Sequence, residues 1–177
     1  FPYTTLFRSS VEVCKKWEKT FNECTAPFTG VRKVILRISL VLGKDKGVIP
    51  PLRNMVRFGL GGKQGNGKQM VSWIHEDDLA RVIDWLWDNK QIDGALNCTS
   101  PSPVTNSELM RVMRRAYKRP VGLPSPRWLL EIGAVVIGTE TELVLKSRWV
   151  MPGRLLKEGF TYQYPTITDA IHNIANS

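Results

Sequence analysis

The sequence has little with which to hold a metal, cross-link itself or cross a membrane. Its three cysteines, Cys14, Cys24 and Cys98, form no close pair at metal-ligand spacing, and only two histidines accompany them, so no metal site is expected. An odd cysteine count without a secretory signal points to a reducing compartment, which leaves the paper sequon Asn97-Cys98-Thr99 without meaning. The most apolar stretch, Trp128 to Ile137, is interrupted by Glu131 and falls far short of the ~20 residues of a membrane span. Internal repeats, low-complexity tracts and a Gly-x-Gly-x-x-Gly turn are all missing. These absences predict a soluble, cytoplasmic chain with no membrane partner.

What is present is ordinarily globular. A composition of 42% hydrophobic and 23% charged residues argues against wholesale disorder, and 177 residues suffice for one domain with a core or for one domain plus part of another. The net charge of +9 suits an anionic partner, whether a phosphate-bearing cofactor, nucleic acid or an acidic lipid surface, or serves solubility alone. The basic helix near residue 111 lacks interleaved aromatics for stacking bases, so no nucleic-acid partner is expected.

The chain is organised around Met70 to Ala80, which reads as a short buried strand turning directly into a helix. Ser72, His75, Glu76, Asp77 and Asp78 cluster at the junction, where open α/β sheets place ligands. After Asp77 or Asp78, the residues Leu79, Val82, Ile83 and Leu86 make a helical stripe. Acids in a first helical turn complement the helix dipole, which explains Asp77 without chemistry. His75, at the strand's end, is either a satisfied structural histidine or a catalytic one.

Upstream, Phe1 to Ser9 resembles the translation of a sequencing-library adapter, with no initiator Met, so the segment 1–9 is expected to be non-native and the protein to begin earlier. Val13, Trp17, Phe21 and Cys24 recur at helical spacing until Pro27 and Gly30. Val34 to Leu42 reads as one strand buried on both faces of a parallel sheet; Arg37 within it is paired, points at a ligand, or lies at a solvated end. With its upstream sheet neighbours missing, that strand should leave an apolar patch exposed. Pro50-Pro51 opens a short helix through Phe58. Gly62-x-x-x-x-Gly67-Lys68 imitates a phosphate-binding loop, but Gln69 replaces the required Ser or Thr, and the loop follows a helix rather than a strand.

Downstream, Asp93-Gly94 turns into a strand, Ala95 to Cys98. Thr105-Asn106-Ser107-Glu108 is a capping box for a helix with Leu109, Val112, Met113 and Ala116 inward. Ser125-Pro126 starts an apolar helix ending near Gly138. Trp149-Val150-Met151 suggests a short strand, Pro152 to Glu158 a helical turn closed by Gly159, and Pro165-Thr166 a last helix burying Ile167, Ala170, Ile171 and Ile174.

Several motifs then fall in order: Trp17-Glu18; Leu36-Arg37 with Val41-Leu42-Gly43; Ser72-Trp73-Ile74-His75 with Asp78-Leu79. Asn97, Thr99, Pro101 and Pro103-Val104-Thr105-Asn106 follow, then Pro152, Arg154-Leu155-Leu156, Gly159-Phe160 and Tyr164-Pro165. From about Val11 to the end, this set resembles the atypical, extended short-chain dehydrogenase/reductases described as NAD(P)-dependent epimerase-like proteins with an extra C-terminal domain of unknown function. The resemblance implies an α/β fold, the C-terminal part of a Rossmann-type sheet with a small, mostly helical substrate-side lobe. Residues 10–119 would belong to the epimerase-like domain and 120–177 to the family-specific domain.

The resemblance also implies NADP or NAD in the full-length protein, an unidentified small-molecule substrate, and an inactive fragment that does not bind cofactor. The alternative it leaves open is a non-catalytic dinucleotide-binding or regulatory protein. Where related reductases carry Tyr-x-x-x-Lys, this chain has Ser10 and Cys14, and a cysteine cannot lower a tyrosine's pKa as a lysine does. Leu40 stands where many members have Asn. Residues implied to face cofactor or substrate are Arg37, Ser39, Gly43, Gln69, Ser72, Trp73, His75 and Asp78, in orienting roles, with no catalytic residue named.

Overall fold

A computed structural model describes residues 3–124 and 146–176, with side chains from residue 11 onward. In chain order the elements are α1 (Tyr3–Thr25), β1 (Val34–Ile38), β2 (Leu40–Leu42), α2 (Ile49–Arg57), β3 (Met70–Val71), β4 (Trp73–His75), α3 (Glu76–Asp88), β5 (Gly94–Cys98), β6 (Val104–Thr105), α4 (Asn106–Ala116), α5 (Gly153–Lys157) and α6 (Ile167–Asn176). The expected apolar helix from Ser125 lies outside the described residues.

The parallel pairing that marks an α/β fold is present in two places. β1 runs beside β5, with Val34 opposite Gly94 and Ile38 opposite Cys98, and β2 runs beside β4, with Leu40 opposite Trp73 and Leu42 opposite His75. β3 and β6 pair antiparallel. The expected single strand from Val34 to Leu42 is therefore two. Ser39 breaks it: its N–H still bonds to the Cys98 carbonyl, while the next N–H, of Leu40, bonds to the Ser72 carbonyl, so the chain changes partner within one residue. Nor is the strand buried on both faces. Val34 to Leu36 are half-buried and Arg37 and Ile38 are exposed, leaving apolar surface at Ile38.

Two hydrophobic cores flank the strands. The first gathers Leu52 and Val56 of α2, Met110 and Met113 of α4, and Ile167, Ile171 and Ile174 of α6 around Leu42 and Trp73. The second gathers Ile74, Val82, Leu86, Leu96, Leu155 and Phe160. Each of these aliphatic or aromatic side chains contributes about 1.5–3 kcal/mol by leaving water. Consecutive strand residues face opposite ways, so Trp73 enters one core and Ile74 the other.

Three helices depart from their sequence patterns. In α3 the stripe turns: Val82 and Leu86 are buried, but Ile83 is exposed, and Trp85 instead meets Phe160 edge-on at 5.6 Å. In α1 the apolar stripe finds no cover among the described residues, and Trp17 is 70% exposed. In α4 only half of the capping box forms. Thr105 Oγ1 accepts the Glu108 N–H at 3.2 Å, but the Glu108 carboxylate forks onto Arg111 rather than reaching back.

The glycines of the false phosphate loop serve backbone contact. A Cβ on Gly62 would lie 2.5 Å from the Leu123 carbonyl carbon, and one on Gly122 would lie 2.6 Å from that of Gly61. The loop's backbone and residues 122–123 touch, with Gly62 N–H bonded to the Leu123 carbonyl and Leu123 N–H to the Gly59 carbonyl.

Candidate functional site

The junction forms as its sequence predicts, with the helix starting two or three residues earlier. β4 ends at His75, and α3 starts at Glu76 with His75 as its N-cap. His75 is 1% exposed; its Nδ1 accepts the Asp77 N–H at 3.1 Å, and its ring lies on Tyr164 with centroids 4.0 Å apart. An Nδ1 that accepts a hydrogen bond leaves the neutral ring's proton on Nε2. That Nε2 is buried and has no hydrogen-bond partner among the described residues.

Asp78 is fully buried, as a carboxylate is only when well supplied with donors. Its Oδ1 accepts the Gln163 N–H at 2.7 Å and Arg81 Nη1 at 3.0 Å, and its Oδ2 accepts the Tyr164 N–H at 2.9 Å. Ser72, also buried, works the same way on residues 148–150. Its Oγ donates to the Arg148 carbonyl at 2.9 Å and accepts the Val150 N–H at 2.8 Å, while the Arg148 N–H bonds to the Met70 carbonyl. Segment 149–151 thus docks beside Ser72 without becoming the expected strand. Trp73 is buried, its indole N–H bonded to the Ser102 carbonyl at 3.0 Å.

The remaining candidates spread away from this cluster. Gln69 is buried, and its Nε2 donates to the Gln64 carbonyl at 3.0 Å. Gln64 pairs with buried Asn106 through an amide contact of 2.8 Å, so the loop is pinned to the start of α4. Ser39 Oγ donates to the Cys98 carbonyl at 3.2 Å. Gly43 is buried under the Glu76 carboxylate, which accepts the Lys44 N–H at 3.2 Å. Arg37 points to neither loop nor junction. It grips Glu18 of α1 in a two-bond fork of 2.8 and 2.7 Å, on an exposed surface. That bond holds the Glu18 carboxyl below its ordinary range and raises the Arg37 guanidinium further.

The structure therefore brings His75 and Asp78 together on Tyr164, places Ser72 against residues 148–150 and Trp73 against Ser102, sets Gly43 beside Glu76, and leaves Arg37 outside. The residues that the sequence reading missed are the tail partners. Tyr162 donates to the Thr99 carbonyl at 2.7 Å, Ser100 Oγ donates to the Pro165 carbonyl at 3.0 Å, and Arg154 Nη1 reaches the Asp93 and Ala95 carbonyls. Of these, Thr99, Arg154 and Pro165 stood in the motif set without an assigned role, and Tyr162 and Ser100 did not. Burial raises the Tyr162 phenol and pushes the Cys98 thiol up to about 11, so neither is an ionised nucleophile near neutrality. No group of three metal-ligating side chains occurs among the described residues, and no described helix is long and apolar enough to cross a membrane.

Comparison with known proteins follows the same lines. A domain of unknown function (DUF1731) matches residues 125–174. An epimerase family protein SDR39U1 homologue of Arabidopsis thaliana, chloroplastic by name, is 34% identical over 163 residues, 92% of this chain and 45% of its own length. An epimerase family protein of Mycobacterium leprae is 31% identical, over 90% of this chain and 51% of its own length. The crystal structure of human epimerase family protein SDR39U1 with NADPH superposes with a TM-score of 0.74 at 31% identity, covering 83% of this chain and 49% of that one. A nucleoside-diphosphate sugar epimerase from Corynebacterium glutamicum gives 0.70 at 28% identity, covering 94% of this chain and 31% of its own.

The chain is similar to epimerase family proteins. It spans about half the length of the curated relatives it matches, and its parallel strands correspond to the C-terminal part of their Rossmann-type fold. For a chain similar to epimerase family proteins the dinucleotide question is geometric. A pyrophosphate needs a glycine turn between a strand and a helix N-terminus. Among the described residues α3 follows β4 through His75 and α4 follows β6 through Thr105, without glycine. The connection from β2 to α2 does hold Gly43 and Gly47, but the Glu76 carboxylate lies against Gly43, and Pro50 and Pro51 remove two N–H groups from the first turn of α2. The described residues do not fit that part of the cofactor.

Proposed function

We propose that this chain is the substrate-side part of an NAD(P)-dependent epimerase- or reductase-like protein acting on a small molecule. In this reading the junction is one wall of the site, held rigid by the tail, and cofactor binding requires residues beyond those described. The observation that carries it is the junction itself. The parallel strands β2 and β4 end together at Leu42 and His75, in a chain that superposes on an NADPH-bound relative over most of its length. Ligands gather where such strands end. Calorimetric titration with NADPH tests the reading. At a salt concentration that screens contacts to exposed cations, the chain alone should give no saturable heat, and the longer protein should bind; tight binding by this chain alone under those conditions would overturn it.

Cys14 supports a second reading, a dinucleotide-binding or regulatory protein without hydride chemistry. It is exposed and stands where related reductases are expected to carry lysine. Steady oxidation or reduction of nicotinamide by the longer protein, followed at the reduced ring's absorbance, would exclude that reading.

A further inference from the structure

The net charge of the chain is not spread evenly. Residues 49–69 and 106–124 hold nine cations and one acid, Glu108, and so account for eight of the nine net positive charges. All the other residues hold sixteen cations and fifteen acids. The two stretches are neighbours in space, because α2 packs against α4 and the loop after α2 lies against residues 122–123.

The C-terminal end of α4 shapes this charge into a groove of about 500 Å³ lined by Arg111, Arg114, Arg115, Lys118, Arg119 and Pro120. Two of its arginines are fixed. Arg111 is forked on Glu108, and Arg114 Nη1 donates to the Gly61 carbonyl at 2.6 Å. Arg115, Lys118 and Arg119 are exposed, with their side chains in no hydrogen bond or ion pair among the described residues. Arg53 and Arg57 of α2 lie near enough to act on the Tyr117 phenol, so their field reaches the same helix end. α6, which packs against α4, carries one acid, Asp169, and it is bonded to Thr166.

The backbone at this end is unusual. The Arg119 N–H bonds to the Arg114 carbonyl at 2.8 Å and the Lys118 N–H to the Arg115 carbonyl at 3.1 Å, the two bonds of a Schellman cap. Such a cap requires a left-handed residue, for which glycine is the unstrained choice. Here it is Lys118, at φ 54°, and it is the only described non-glycine residue with positive φ. The lysine at this position adds a cation at a backbone cost that glycine would not carry.

We propose that this groove is a binding site for a small multivalent phosphate, of the diphosphate class. Its size is that of a small-molecule cleft rather than a long tract. The arginine forks suit paired phosphate oxygens, and no aromatic residue lines the groove for base stacking.

The test is calorimetric titration of the full chain with inorganic pyrophosphate at low salt, on the native protein and three variants. Lys118→Gly should melt at or above the native temperature yet bind about fivefold more weakly, having lost strain and one cation together. Arg115→Gln with Arg119→Gln should lose binding by about twentyfold or more. Lys15→Gln with Lys16→Gln, on α1, is matched in charge and should bind as the native chain does. Equal weakening by the α1 pair, or native affinity in Lys118→Gly, would overturn the proposal. So would short duplex DNA binding that the groove variants abolish while pyrophosphate binding persists.

Discussion

Replacing Asp78 with alanine tests how the tail is held. The side chain is fully buried and accepts two backbone N–H groups, those of Gln163 and Tyr164, together with Arg81 Nη1. Removing it strands two amides, each worth about 1–3 kcal/mol if they stay buried without a partner. The Arg81 contact adds at most about 1 kcal/mol, because that guanidinium is 43% exposed and screened by water. Partial relaxation, with the tail lifting to hydrate its amides, would strip Tyr164 from the His75 ring. The expected cost is therefore about 3–5 kcal/mol. Urea unfolding measures it, and amide exchange at residues 163 and 164 locates it. Asp78→Asn keeps one accepting oxygen but turns an NH₂ toward a donor, so about half of the loss should remain. Arg81→Ala should be nearly silent. If Asp78→Ala unfolds within about 0.5 kcal/mol of the native chain with both amides still protected, the clamp is wrong.

Two further outcomes follow from the titrating groups. At pH 8 iodoacetamide should modify exposed Cys14 and Cys24 quickly and Cys98 only on unfolding, because burial pushes that thiol up to about 11; mass spectrometry of the folded chain should show two adducts, and three would refute the assignment. Glu18, held below its ordinary 4.5 chiefly by the Arg37 hydrogen bond, contributes fully above about pH 4.5 and loses that contribution as pH falls through its folded value. The pair is partly exposed, so the effect is below about 1 kcal/mol. Limited proteolysis of α1 should quicken in acid for the native chain and show no such acid limb in Glu18→Gln.

What the sequence disclosed was local. The strand-to-helix turn at His75, the Pro50-Pro51 helix start, the Thr105 cap and the α6 stripe are each written within a few residues, and each formed. The roles of Ser72 and Asp78 were hidden because their partners lie about 80 residues away, at 148–150 and 163–164. A carboxylate in a first helical turn looks the same whether it complements the dipole or holds a distant backbone. Arg37 was legible as a charge in a strand, but only the packing of α1 names Glu18 as its partner. The α1 stripe shows the converse limit: helical spacing of Val13, Trp17 and Phe21 specifies a face, and nothing in the spacing says what that face meets.

β4 is three residues long, yet Trp73 and Ile74 belong to different cores. Neither core can loosen without moving the strand that the other is built on. The two should melt together, in one transition, although they share no other strand residues of β4. The Trp73 indole, closed off by its bond to Ser102, is then a natural optical reporter for both. Its red shift on unfolding should coincide with loss of helical signal from α3, on the far side of the strand.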